Sequence, residues 1–175
     1  MTSSHVIFWA IGAALIFWMV GAYNRLVRLR DDIVRQFAPV DVQLKLRQAL
    51  LRRQIDALTP MLANAGPRLD ALRAACQQTE LAGALAKLKP AAADSVTSLR
   101  VAEGILAEAR ARLPVQGAPG LDLADVTTQL GAVDSMLAFA RGQFNAAVQA
   151  YNHAVRQFPT LLVAGLFGLH PASPL

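Results

Sequence analysis

VIFWAIGAALIFWMVGAYNRLVRLRDDIVRQF, residues 6–37, holds two kinds of helix in one run. Its first part, Val6 to Tyr23, carries no charge, and 18 residues of helix span about 27 Å, close to the thickness of a bilayer core. Trp9 and Trp18 lie toward the two ends of that part and Tyr23 at its exit, where aromatic side chains sit at membrane–water boundaries. Its second part is charged, and neither Gly nor Pro separates it from the first after Gly21. The membrane helix is therefore expected to continue out of the bilayer as far as Phe37. Pro39 then predicts a kink or a new helix start, because a proline pushes the residue before it away from helical geometry.

A cleaved signal peptide does not fit this beginning. The leading MTSSH has no Lys or Arg, the apolar stretch is long, and no small-x-small site precedes the charged helix. Arg25, Arg28 and Arg30 follow the span with nothing comparable before it, so the positive-inside rule places the N-terminus outside and the rest in the cytoplasm. The same arginines, with Arg35, are candidate contacts for anionic lipid headgroups. The basic balance does not indicate nucleic acid. Between Arg25 and Arg53 the chain has eight Lys/Arg and three Asp, which already accounts for the net charge of +5. No zinc spacing or aromatic stacking platform accompanies it.

Beyond Pro39 the composition is rich in alanine, leucine and arginine, and aromatics are 6% of the chain, which favours helix over sheet. Leu44, Leu50, Leu51, Ile55 and Leu58 recur at three- and four-residue steps, with Pro60 inside the run and Gly66-Pro67 closing it. Further helices are expected over Arg68 to Lys87 and about Ala93 to Leu113, the latter with Asp94 or Ser95 as N-cap. Residues 114–122, PVQGAPGLD, read as a loop. One long helix is predicted from Leu123 to Phe158. The fold class is all-α: an N-terminal transmembrane helix continuing into a bundle of long antiparallel helices. Three parts follow: the anchor 1–23, a cytoplasmic bundle 24–159, and an apolar tail 160–175.

Two phrases near the ends of that bundle are alike. Residues 23–37 and 144–158 are identical at six of fifteen positions, both ending Val-Arg-Gln-Phe before a nearby proline. Val27 and Val34, and likewise Val148 and Val155, stand seven apart, the step of a coiled-coil seam. An Asn follows the aromatic in each phrase. Partly buried Asn24, Asn145 and Asn152 would need partners and would fix how the first and last helices meet. Convergence on the same packing needs explains the likeness better than duplication, since the surroundings do not match.

These residues also carry a resemblance. Tyr23-Asn24-x-Leu26-Val27-x-x-Arg30 with Phe37, then Asp41-Val42-Gln43-Leu44-Lys45-x-Arg47, resembles the N-terminal signature of the LemA family. Ala140-Arg141-x-x-Phe144-Asn145-x-x-Val148-x-x-Tyr151-Asn152, with Phe158-Pro159 and VAGLFG at 163–168, resembles its C-terminal signature. The middle departs from the family pattern: the chain reads ALLRRQI at 49–55 where the family has a stretch like DLIPNLV. The resemblance implies a bacterial inner-membrane protein with one N-out span and a cytoplasmic helical domain.

Nothing in the sequence points to catalysis. His5, His153 and His170 lack a carboxylate or Cys at metal-ligand spacing, and the glycines of QGAPG precede no Lys-Ser/Thr. Glu103 and Glu108 are expected to pair with Arg100, Arg110 or Arg112 on one helix face. The lone Cys76 reads as a small buried apolar residue. The tail TLLVAGLFGL, 160–169, is apolar but too short to span a bilayer. It can pack on the bundle, rest at the membrane interface through Leu162, Leu166 and Phe167, or meet another subunit. The sequence therefore indicates a non-enzymatic, cofactor-free, membrane-anchored scaffold that acts by self-association or by binding another membrane-associated protein. A membrane-shaping or lipid-binding role through anchor, arginines and tail is the alternative. Membrane lipid is a contact in both readings.

Overall fold

A computed structural model describes residues 2–60, 66–113 and 123–175. Among them are five helices and no strand: α1 (Thr2–Leu58), α2 (Gly66–Leu88), α3 (Ala93–Ala111), α4 (Leu123–Arg156) and α5 (Thr160–Leu166). The loop predicted over 114–122 lies outside the described residues.

α1 runs 57 residues, about 85 Å, and continues as helix through Pro39. The helix does not restart there. Pro39 is exposed while its neighbours Phe37 and Val40 point into the core, so the missing hydrogen bond falls on the solvent side. Arg35, whose carbonyl loses that partner, is itself exposed, which offers the freed acceptor water in place of the lost bond. The core face of α1 is Ala22, Leu26, Ile33, Phe37, Val40, Leu44, Leu51, Ile55 and Leu58, repeating at three, four or seven. Before Ala22 the helix stands clear, with Ile7, Phe8, Trp9, Ile11, Leu15, Ile16 and Phe17 all exposed.

The helices alternate in direction. Trp18–Phe158, Phe37–Phe144 and Arg47–Asp134 align α1 with α4, antiparallel and in register. Asp41–Lys87 and Arg52–Glu80 set α2 antiparallel to α1, and Glu103–Arg141 with Arg110–Asp134 set α3 antiparallel to α4. The order is up, down, up, down, with α1 packed on both α4 and α2 and α2 on α3. Gly66-Pro67 opens α2 instead of closing the preceding run, since Pro at the first turn lacks only an N–H that no helix partner needs. α1 ends at Leu58, where Thr59 donates from its backbone and its hydroxyl to the Ile55 carbonyl, leaving Pro60 outside. Neither Asp94 nor Ser95 caps α3: Ala92 holds that position, and Ser95 turns its hydroxyl back to the carbonyls of Lys89 and Ala92.

The core is in two parts. The lower joins Leu26, Phe37, Val40 and Leu44 to Ala86, Leu99, Phe144, Val148 and Tyr151; the upper joins Leu51, Ile55 and Leu58 to Leu69, Leu72, Leu106 and Leu130. Between them lies a layer of polar side chains.

Candidate functional site

Two regions of the bundle hold chemistry beyond packing: its lower end, where the apolar part of α1 leaves it, and the polar layer between the cores. At the lower end, α4 stops at Arg156 and the chain turns into α5. Thr160 makes that turn, donating its hydroxyl to the carbonyls of Ala154 and Gln157 from a buried position. α5 buries Thr160, Val163 and Ala164 against α1 and α4, and ends in Gly168 at φ 62°, with the Leu169 N–H bonded to the Ala164 carbonyl. That six-to-one bond over a left-handed glycine is a Schellman closure.

The other face of α5 is apolar yet exposed. Leu161, Leu162, Leu166 and Phe167 are all open, and Phe158 just before the helix is 75% exposed. These side chains lie beside the place where the apolar part of α1 ends. The ring of Phe158 is 5.5 Å from Trp18, and that of Phe167 is 4.8 Å from Tyr23. Together they form an apolar shelf level with the exit of the long helix. α1 is also the one described helix long and apolar enough to cross a membrane, with an 18-residue window of mean hydropathy 1.6, only 6% of it buried. Arg25, Arg28 and Arg30 follow on the same helix, exposed. Burial raises the Tyr151 phenol above its ordinary pKa, against the opposing charge of Arg30.

The helix-packing residues read from sequence divide into two groups. Phe37, Phe144, Val148, Tyr151 and Val155 are buried in the lower core, and Phe37 meets Phe144 edge-on at 5.6 Å. Val34 is exposed and Val27 only half-buried, so the seven-residue valine seam on α1 does not form. Leu26, Ile33 and Phe37 take its place, because the longer side chains reach the core from the adjoining stripe. Asn24 is exposed, and Asn145 and Asn152 do not set the α1–α4 register either. Both turn to the tail: Asn145 bonds the backbone of Leu175 and Asn152 that of Ala172, each at its N–H and its carbonyl. A side-chain amide offers one donor and one acceptor in the spacing of an extended residue's own pair, and the tail supplies that pair while helical α1 has none free. Gln43 is half-buried, and Pro159 is half-buried at the α4–α5 turn. Asp41 pairs with Lys45 on its own helix at 2.8 Å and joins α1 to α2 through Lys87 at 3.0 Å. Burial works to raise the Asp41 carboxyl, but the two lysine hydrogen bonds outweigh it and hold its pKa below the ordinary range.

The polar layer centres on Arg47, whose side chain is 7% exposed. Its guanidinium reaches Glu103 on α3 and, at 3.7 Å, Asp134 on α4. Glu103 also accepts from Arg141, and Asp134 accepts from both terminal nitrogens of Arg110 at 3.0 Å. Five charges thus tie α1, α3 and α4 together, while Nε of Arg47 and of Arg141 is buried without a partner. Glu103 was expected to serve a local pair on its own helix; only Glu108 does so, with Arg112 at 2.9 Å. The signal was in the spacing: Arg47 shares a face with Leu44 and Leu51, as Glu103 does with Leu99 and Leu106. Two clefts of about 460 and 320 Å³ open along the α3–α4 side of this layer, with Arg110 lining both. Cys76 is buried in the upper core, and burial raises its thiol pKa, the opposite of activation. Among the described residues no group of three His, Cys, Asp or Glu side chains is placed to hold a metal ion.

A family model described as the LemA family matches residues 36–175, most of the chain, from Gln36 on α1 to the end of the tail. No curated protein and no solved structure matches. The chain belongs to the LemA family.

Proposed function

We propose that this LemA-family chain is a membrane-anchored, non-enzymatic helical scaffold, oriented with its N-terminus outside and its bundle at the cytoplasmic face. It acts through self-association or by binding a membrane-associated protein. One observation carries the reading: the exposed row Phe158, Leu161, Leu162, Leu166 and Phe167 lies level with Trp18 and Tyr23 on α1. A single-span anchor alone leaves a bundle free to tilt and rotate. A second apolar contact at the interface fixes its height and azimuth, and so presents the same faces to every partner.

The same row supports a second reading, a lipid-binding or membrane-shaping role, in which the shelf and the arginines wedge into the headgroup layer of one leaflet. The experiment begins with depth. Full-length Cys76→Ala chain is given a fluorophore at Leu162→Cys and reconstituted in phospholipid vesicles. Quenchers fixed near the headgroups should quench it as strongly as they quench a probe at position 23. A probe reached only by aqueous iodide would remove the shelf and both readings built on it. If the shelf does insert, a dose-dependent rise in vesicle curvature or tubulation favours the second reading over the first.

A further inference from the structure

Asn145 and Asn152 stand seven residues apart on α4, and each engages one residue of the segment LHPASPL, 169–175. Asn152 donates to the Ala172 carbonyl and accepts its N–H, both at 2.8 Å; Asn145 does the same for Leu175 at 2.9 and 2.8 Å. The spacings match. Seven residues of α-helix rise about 10.5 Å, and three residues of polyproline II advance about 9.3 Å. Ala172 is the buried residue of the segment, Leu169, Ser173 and Leu175 are half-buried, and His170, Pro171 and Pro174 are exposed. The prolines fix their own φ and hold His170 and Ser173 extended. They also remove backbone donors, so from Pro171 onward only residues 172, 173 and 175 offer an N–H, and the asparagines take two of those three. On the far side, Thr97 of α3 donates to the Ser173 hydroxyl at 3.5 Å, so the segment bridges α4 and α3.

Recognition by backbone pairs reads conformation more than sequence. This clip accepts an extended segment with prolines three apart, a small residue at the Asn152 seat and an apolar one at the Asn145 seat. We propose that it is a binding site for such a segment, filled in cis by residues 169–175, and that the same segment of a second copy takes the seat by exchange. The pivot lies immediately before it. Gly168, at φ 62°, is a residue for which other backbone conformations are equally accessible, and it separates docked α5 from the strap. The asparagine contacts in the seat are the same whichever chain supplies the strap, so cis and trans differ in the Gly168 turn and in the Leu169–Ala164 bond that closes over it. The tethered strap favours cis, and a shared bilayer, by concentrating copies, raises the exchanged share above that of dissolved chains. The inference gives the proposed self-association a device; it does not depend on the apolar shelf.

Thr97 and Ser173 supply the test. Full-length Cys76→Ala chains carrying Thr97→Cys are co-reconstituted in phosphatidylcholine vesicles with chains carrying Ser173→Cys, and then oxidised. Exchange predicts a disulfide-linked heterodimer, and at least tenfold less of it when both chains also carry Asn145→Ala and Asn152→Ala. Pro171→Gly with Pro174→Gly, which leaves the bundle intact, should lower it in the same direction and guards against unfolding of the asparagine variants. A Thr97→Cys/Ser173→Cys double variant that closes only within its own chain, beside a mixed pair giving no more dimer than its asparagine-deleted version, overturns the proposal. The shelf would still be read independently by depth quenching.

Discussion

Glu103 sits 9% exposed between two guanidiniums, those of Arg47 and Arg141. Removing it leaves buried positive charge without compensation, which in comparable sites costs about 3–5 kcal/mol. Glu103→Ala should therefore lower stability by about that amount in denaturant titration of the detergent-solubilised chain. Arg47→Met combined with Glu103→Leu should lose much less than the two single changes together, since replacing both partners removes the unpaired charge. Asp41 makes a pH prediction. Its folded pKa lies below the unfolded one, so its contribution is fully present above about pH 4 and fades as pH falls through the folded value. Asp41→Asn should be less stable than the parent at pH 7 by about 0.5–1 kcal/mol, and the gap should close on acidification. Lys45, whose pKa is raised mainly by its hydrogen bond to Asp41, adds a matching loss at alkaline pH that the variant should also lack.

At the scale of the element, the pattern of apolar residues located helices well and their ends less well. The 34 residues of α4 and the 23 of α2 follow from periodicity, because burial of one face is what stabilises a helix in a protein. Pro39 defeated the local rule: a proline penalty depends on which side of the helix the lost bond faces, and that is set by the neighbouring helices. The valine seam failed for a related reason, since heptad spacing names a face but not which of two adjoining stripes the partner covers. Helix glycines give an element-scale prediction. A Cβ at Gly142 meets nothing within 4 Å, and one at Gly83 meets only Leu44 Cδ1 at 3.9 Å, ordinary contact. Gly142→Ala and Gly83→Ala should each raise stability by about 0.5–1 kcal/mol, visible as a higher midpoint in thermal melts.

For the whole molecule, α1 carries the apolar segment at one end and packs on α4 and α2 at the other, so the orientation of one helix sets that of the bundle. With Arg25, Arg28 and Arg30 after the apolar segment, the bundle is expected on the cytoplasmic side. Protease added to intact spheroplasts should leave it whole and cut it only after lysis; digestion before lysis would reverse the topology. The sequence by itself determined the helical class, the apolar segment and the long helix from Leu123, because these rest on composition and periodicity, which are local; the family resemblance rested instead on the motifs around Tyr23-Asn24 and Phe144-Asn145. It also placed Phe37, Phe144, Val148, Tyr151 and Val155, whose spacing and bulk leave them one home. Only the tertiary structure decided what Asn145 and Asn152 hold, which charges Arg47 joins, and that α5 presents its apolar side outward beside Trp18 and Tyr23. Each of those is a pairing across 20 or more residues of chain. A polar side chain states that it needs a partner, but only packing chooses which one comes within reach.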